Sequence, residues 1–373
     1  MQNPVPALNL IHLNHAAVAP WPLVTQQAVQ AFAQENAALG SWHYLRWLQV
    51  EKELRERART LLNAASVGEI ALVKNTSEGL SFVAYGLDWH AGDNVVGIAQ
   101  EFPSNRFVWQ SLASQGVAFR PLDLSQATAD PEQALFALCD ANTRLISVSA
   151  VQYASGLRMD VARIGAFCRA RGILLCVDAI QQLGAIPFDV QAIQADFVVA
   201  DGHKWLLGAE GLGLFYVRQA VQDQLKLTQF GWHMAANPAD YAAKQYQIAT
   251  DARRFECGSP NMLGIHALHA SLGLLLAVGM DQVWAGIQAR TQYLLDGLQA
   301  IADVEVLSDL RAERRSGIVT FRLRDGDTEA LFQRLVAAQV LCAPRGGGIR
   351  LSPHYYTPLA QLDTVLALIR ADV

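Results

Sequence analysis

The stretch from Asp196 to Arg218, DFVVADGHKWLLGAEGLGLFYVR, places the tightest constraint on the fold. Phe197-Val198-Val199-Ala200 is a short apolar, β-branched run of the kind that forms a strand buried on both faces. It ends in Asp201-Gly202-His203-Lys204, with bulky Trp205 behind the lysine. Gly208, Gly211 and Gly213 allow a tight loop, and Leu214-Phe215-Tyr216-Val217 reads as the returning strand. A lysine just past a buried strand end is partly desolvated and loses some of its preference for the charged form. Only the neutral amine attacks a carbonyl, so this setting suits a Schiff-base lysine. Taken alone, the stretch is equally compatible with a surface lysine in a polar turn. Its neighbours decide the matter.

Upstream, buried strands alternate with helices. Ile70–Val73 reads as a strand followed by Lys74-Asn75-Thr76-Ser77-Glu78-Gly79, which opens a helix to Gly86. Two hydroxyls and unpaired backbone N–H groups at a helix N-terminus suit a phosphate, although an ordinary Ser/Thr cap gives the same pattern. Asn94–Ile98 is a strand leading to Phe102-Pro103-Ser104-Asn105 and a helix to Gln115. Leu145–Ser149 leads to Gln152-Tyr153-Ala154-Ser155-Gly156, and Ile173–Val177 ends in Asp178. This is the βαβ pattern of a mainly parallel sheet sandwiched by helices, with the motifs at the carboxyl ends of the strands, where such sheets bind ligands. The expected fold class is α/β, with a smaller α+β domain at the C-terminus. The division reads as a large domain over 15–260, a long apolar helix over 261–279, and a small domain from 1–14 and 280–373.

The 373 residues are ample for two domains, and 29 basic against 34 acidic side chains argue against a nucleic-acid surface. The five cysteines are scattered without CxxC spacing, so neither a disulfide framework nor a metal site is indicated. His266 and His269 share one helix face, and without an acidic partner they read as packing residues. The first residues, MQNPVPALNL, lack a signal-peptide pattern, and no apolar run reaches membrane-spanning length. The expectation is a cytoplasmic chain with no membrane or nucleic-acid partner.

Asp178 stands one strand–helix–strand step before Lys204. A carboxylate at a buried strand end needs a cationic partner or strong donors, unless it merely caps the next turn. With VDAIQ (177–181), DGHKWLLGAEGLG (201–213), RFECGSPN (254–261) and IRLSPHYY (349–356), the chain resembles the class V aminotransferase family of pyridoxal-phosphate (PLP) fold type I. The resemblance runs from Asn14-His15-Ala16-Ala17 to Tyr356. Several such pieces in order are far more specific than one lysine or one glycine loop.

The resemblance implies PLP as cofactor, with Lys204 as its Schiff-base anchor and Cα proton shuttle and Asp178 as partner of the pyridine nitrogen. It further implies Gln181 near the ring and Thr76, Ser77 and His203 around the phosphate. Ser259 would reach the phosphate of a neighbouring subunit, hence a homodimer, and Arg350 would grip the α-carboxylate of an amino-acid substrate. Phe102 falls where relatives stack an aromatic ring, often His; phenylalanine stacks but cannot act as an acid or base. Gln152, Tyr153 and Ser155 are alternatives for the ring oxygen, with Ser155 the cofactor contact chosen. His15 is a weak candidate for the substrate pocket, and Trp232 another.

Two departures stand out. Desulfurases carry a nucleophilic cysteine on the loop between the equivalents of Arg345 and Arg350, where this chain has Gly346-Gly347-Gly348-Ile349. Cys342 lies outside that loop, so persulfide chemistry on the protein is not expected. Asp201 replaces a Ser or Thr on the phosphate, and its carboxylate is expected to point elsewhere. The implied function is a PLP enzyme acting on an amino acid, with transamination as default. A β-elimination lyase (C–S lyase or kynureninase-like) or an epimerase is the alternative. Intact Lys204, Asp178 and Arg350 argue against a non-catalytic binding protein, and the absence of GxGxxG and P-loop motifs argues against a nucleotide binder.

Overall fold

The computed structural model describes residues 10–126, 130–245 and 247–371. The part of the N-terminal arm assigned above to the small domain, residues 1–9, lies outside them, as do 372–373.

A short strand β1 (Ile11–His12) precedes α1 (Leu23–Leu39) and α2 (Tyr44–Leu62). The chain then alternates through β2 (Ile70–Val73), α3 (Thr76–Gly86), β3 (Asn94–Ile98), α4 (Ser104–Gln110) and β4 (Ala118–Leu122). It continues with α5 (Pro131–Ala137), β5 (Thr143–Ser149), α6 (Val161–Arg171), β6 (Leu174–Asp178), α7 (Val190–Ile193), β7 (Phe197–Asp201) and β8 (Gly213–Val217). Seven strands form one sheet in the order β2-β8-β7-β6-β5-β3-β4. Only β8 runs against the rest, so β2 and β7, on either side of it, point the same way. All six other strands therefore present their carboxyl ends to one edge.

Six of the seven strands are fully or almost fully buried runs, as expected for a sheet covered on both faces. The exception is β4, an edge strand with Pro121 and partly exposed side chains, and it has no apolar run to announce it. Two apolar layers cover the faces of the sheet. One is built on Leu54, Ile146, Leu175, Trp205 and Leu268, the other on Phe82, Trp109, Phe197 and Phe215. On the second face α3 crosses over β8 to lie on β7, and Gly79 permits the approach: a Cβ there would meet Val199 Cγ1 at 2.6 Å. This brings the N-terminus of α3 beside Asp201.

The remaining chain is α8 (Met262–Val278), α9 (Met280–Gln299), β9 (Val304–Val306), β10 (Val319–Leu323), α10 (Thr328–Ala337), β11 (Val340–Leu341), β12 (Ala343–Arg345), β13 (Gly348–Leu351) and α11 (Leu359–Arg370). A four-stranded antiparallel sheet, β12-β13-β10-β9, packs on these helices around Phe321, Leu294 and Leu366. β1 pairs in parallel with β11, tying the arm to this second layer. Helix α8 is apolar almost all round because it is buried against α1 and α2. Among the described residues no single helix is long and apolar enough to cross a membrane, and α8 and α9 meet at an 83° bend.

Candidate active site

At the carboxyl edge of the large sheet a cavity of about 390 Å³ opens between the ends of β5, β6 and β7, the N-terminus of α3, the arm at Ala16–Val18, and Arg345 and Arg350 of the small sheet. A larger groove of about 600 Å³ around Phe230, Trp232 and Tyr241 shares no described residue with it and, among the described residues, offers one carboxylate, Asp240, and no lysine, arginine or histidine. The chemistry therefore belongs to the smaller cavity.

Lys204 follows β7 on a turn held by hydrogen bonds from Gly202 N–H to Leu212 (2.9 Å) and from Gly208 N–H to Gly202 (2.8 Å). Trp205 is wholly buried behind it and donates from Nε1 to Gln181 Oε1 at 2.9 Å, while Gln181 Nε2 donates to Ala16 O at 3.0 Å. The arm, the strand end and the lysine turn are thus locked together. Gly184 (φ +89°) lies so close to this turn that a Cβ would sit 2.3 Å from Trp205 O. Burial pushes the Lys204 amine down to about 8; Asp178 pulls it back up, while Arg350 and Arg345 push it down further. A neutral amine is thereby accessible near neutral pH. Nζ lies 5.7 Å from the centroid of Phe102, whose ring meets Tyr153 edge-on.

Asp178 ends β6 with its carboxyl raised to about 6 by burial, opposed by the Ile180 N–H (3.1 Å) and by Lys204. Behind Phe102, Glu101 is fully buried and raised to about 7, chiefly by desolvation. It accepts from Ser149 N–H (2.7 Å), the Ser149 hydroxyl and Gln152 Nε2 (3.1 Å).

At the other end of the cavity, Asn75 caps α3 by accepting from Glu78 N–H at 2.9 Å, which leaves Thr76 and Ser77 on its first turn. Ser77 donates to Ser104 Oγ at 2.9 Å. Thr76 Oγ1, Asp201 Oδ1 and His203 Nδ1 are buried without a hydrogen-bond partner. His203 is pushed down to about 4 by burial and by Lys204, so its ring is neutral. On β13, Arg350 donates to Tyr153 O (2.6 Å) and Asn14 Oδ1 (3.2 Å) and leaves Nε unpartnered. Burial, and then the neighbouring Arg345, lower it to about 10.

Of the residues singled out from the sequence, Thr76, Ser77, Phe102, Asp178, Gln181, His203, Lys204 and Arg350 line this one cavity. Asp201 lines it too, with its carboxyl facing His203 and the Thr76 N–H. His15 and Ser155 do not line it. His15 is completely buried: its Nδ1–H donates to Ser352 O at 2.9 Å and its Nε2 accepts from the Tyr356 hydroxyl at 2.7 Å. It is a packing residue that clamps the arm to the small domain. Ser155 Oγ accepts from Leu157 N–H at 3.2 Å, and Ser308 donates to its carbonyl. Of the three alternatives for the ring oxygen, only Tyr153 reaches the cavity wall; Gln152 is spent on Glu101. Ser259 lines a separate cleft with Lys74, Glu78 and Cys257, on the flank of α3 away from the cavity. Trp232 belongs to the surface groove. His266 bonds Met262 O, whereas His269 has an acidic neighbour after all, Glu53 at 3.1 Å.

Sequence reasoning missed Ser149, Ser104, Asn75 and Arg345 as wall residues. Each lies at a strand end or helix start next to a flagged motif, which was the available signal.

The donor set fits one cofactor. A buried amine of lowered pKa, a carboxyl at a strand end and unpartnered polar atoms at a helix N-terminus match an aldehyde, a pyridine nitrogen and a phosphate in a single molecule. Fold and site together define a PLP-dependent enzyme of fold type I. The model of the aminotransferase class-V family matches residues 11–355. A "probable cysteine desulfurase" of Methanothermobacter thermautotrophicus is 30% identical over 95% of this chain and 92% of its own length. A cysteine desulfurase of Cronobacter sakazakii is 31% identical over 86% of this chain and 77% of its own. Among solved structures, a cystine C-S lyase bound to its product cysteine persulfide superposes with a TM-score of 0.90 at 24% identity, covering 97% of both chains. A cysteine desulfurase of Escherichia coli gives 0.87 at 21% identity, covering 99% of this chain and 96% of the other. The same lyase has also been solved with glycine covalently linked to its PLP. The chain belongs to the class V aminotransferase family.

Proposed function

We propose that the enzyme is a C–S lyase that eliminates a sulfur substituent from the β-carbon of a small sulfur-bearing amino acid such as cysteine. One observation carries this reading. The relatives bear the names cysteine desulfurase and cystine C-S lyase, yet no thiol lines this cavity among the described residues. Between Arg345 and Arg350 stand Gly346-Gly347-Gly348-Ile349, and Cys342 is buried with its thiol pushed up to about 12. Sulfur leaving the substrate therefore has no protein acceptor and departs as a small molecule.

Bound PLP supplies an electron sink for the charge that develops at the substrate Cα. The Arg350 guanidinium holds the α-carboxylate, for which its unpartnered Nε is available. The Lys204 amine removes the Cα proton, which lets the β-substituent leave. Asp178 holds the ring nitrogen's proton, and Phe102 covers the site while adding no acid or base. For cysteine the balance is one water consumed, with pyruvate, ammonia and hydrogen sulfide released.

Incubation with cysteine and with cystine tests the proposal. Stoichiometric pyruvate and ammonia, with the visible cofactor band restored, are expected, and both product and band are lost in Lys204→Ala. Accumulation of the pyridoxamine form with a keto acid would instead make the enzyme a transaminase.

We further propose that the enzyme is a homodimer, with Ser259 reaching the neighbouring subunit's site. Supporting this, the aromatic side chains of Phe230 (63%), Tyr241 (79%) and Trp42 (82%) are largely exposed, and aromatic residues are enriched in the cores of protein interfaces. Sedimentation is expected to give twice 40.7 kDa; a monomer that binds PLP fully would overturn it.

A further inference from the structure

The N-terminus of α3 is where an anion would be bound, and an acidic side chain already stands there. Asp201 closes β7 with nine-tenths of its surface buried, facing the first turn of α3. Its Oδ1 has no hydrogen-bond partner and lies over Gly213 of β8, where a Cβ would come within 3.2 Å of it. Its Oδ2 is 4.0 Å from His203 Nδ1. His203 Nδ1, buried without a hydrogen-bond partner, faces this oxygen, and the Thr76 N–H and hydroxyl act on the same carboxyl.

We propose that Asp201 binds the phosphate of the cofactor as a neutral carboxylic acid, so that docking of a phosphate at α3 is coupled to uptake of one proton. An ionised carboxylate is acceptor-only and repels a phosphate; the protonated form carries one O–H donor. A hydroxyl at this position would donate in the same way without titrating.

The groups that face Asp201 set the balance. From α3, the Thr76 N–H and hydroxyl favour its ionised form, and from its own turn Lys204 does the same. Burial is the largest influence and favours the neutral form, joined by Glu210 of the glycine loop. On β6, Asp178 is a neighbouring carboxyl whose own ionisation Asp201 disfavours. His203 is neutral and adds no positive charge. The result is a carboxyl raised to about 6 before any phosphate arrives. A phosphate adds negative charge and moves it further in the same direction.

The test measures dissociation constants of PLP for the full chain between pH 6.5 and 8.5, in wild type, Asp201→Asn and Asp201→Thr, with unphosphorylated pyridoxal as the control. Wild-type affinity is expected to weaken with pH more steeply than that of either variant. The ratio should grow towards about tenfold per pH unit, the limit for one linked proton. Pyridoxal is expected to show no such divergence. Parallel profiles for wild type and variants, or the same divergence with pyridoxal, would overturn the proposal. If neither variant folds, calorimetry of the wild type in buffers of different ionisation enthalpy decides. About one more proton taken up with PLP than with pyridoxal at pH 8 supports it, and equal uptake refutes it. These readings concern binding alone, so they stand whichever product the enzyme releases.

Discussion

Asp178 and Asp201 are the same residue type at the same kind of place, the last position of adjacent parallel strands β6 and β7. Burial raises both to about 6. What separates them is the company each keeps. Asp178 looks towards Lys204 and, on the proposed reading, would face the protonated ring nitrogen of a bound cofactor. Asp201 looks towards a helix N-terminus and, on the same reading, would face a phosphate. A cation arriving beside a poised carboxyl lowers its pKa and fixes it as a carboxylate; an anion raises it and fixes it as an acid. On the proposed reading, two equivalent strand ends would serve opposite protonation states, and the charge of the incoming group would decide which.

The largest effect should come from removing the charge on the Asp178 side. Asp178→Asn is expected to bind PLP yet lose about 100-fold in kcat, equivalent to about 2.7 kcal/mol of transition-state stabilisation. Steady-state rates together with the bound-cofactor spectrum check this. An unchanged kcat would mean that the two carboxyls do not differ in the way described.

A smaller effect is shared by both. A carboxyl raised in the fold contributes stability that is fully present below the unfolded value near 3.9 and is lost as pH rises through the folded value of about 6. In the cofactor-free chain, Asp178→Asn and Asp201→Asn should therefore each melt a few degrees higher than wild type at pH 8. Most of that gain should vanish at pH 4. Differential scanning calorimetry at the two pH values reads both variants. A gain for only one of them would show that burial is not the common cause.

Much of the site was legible in the sequence because its residues sit at punctuation. Asp178 ends one apolar run and Lys204 follows just beyond another, Thr76 and Ser77 start a helix, and Arg350 is the one charged residue of a short buried strand. Long buried strands and helices were legible for the same reason, since two-sided burial leaves continuous apolar runs. The edge strand β4 was not, because Pro121 and partial exposure erase the pattern. His15 and Ser155 misled because a histidine or serine near a motif looks alike whether it faces a cavity or a carbonyl.

By itself, the sequence determined the order of strands and helices, the lysine beyond β7 and the absence of a cysteine between Arg345 and Arg350. Those depend on local chemistry and chain order. Only the tertiary structure decided that β8 lies between β2 and β7, and that α3 crosses it to meet Asp201. It also decided that Arg345 joins Arg350 at the cavity while His15 is buried behind it. Such facts depend on which faces pack together. Burial, the cause of the shifts at Lys204, Asp178 and Asp201, exists only once they have packed.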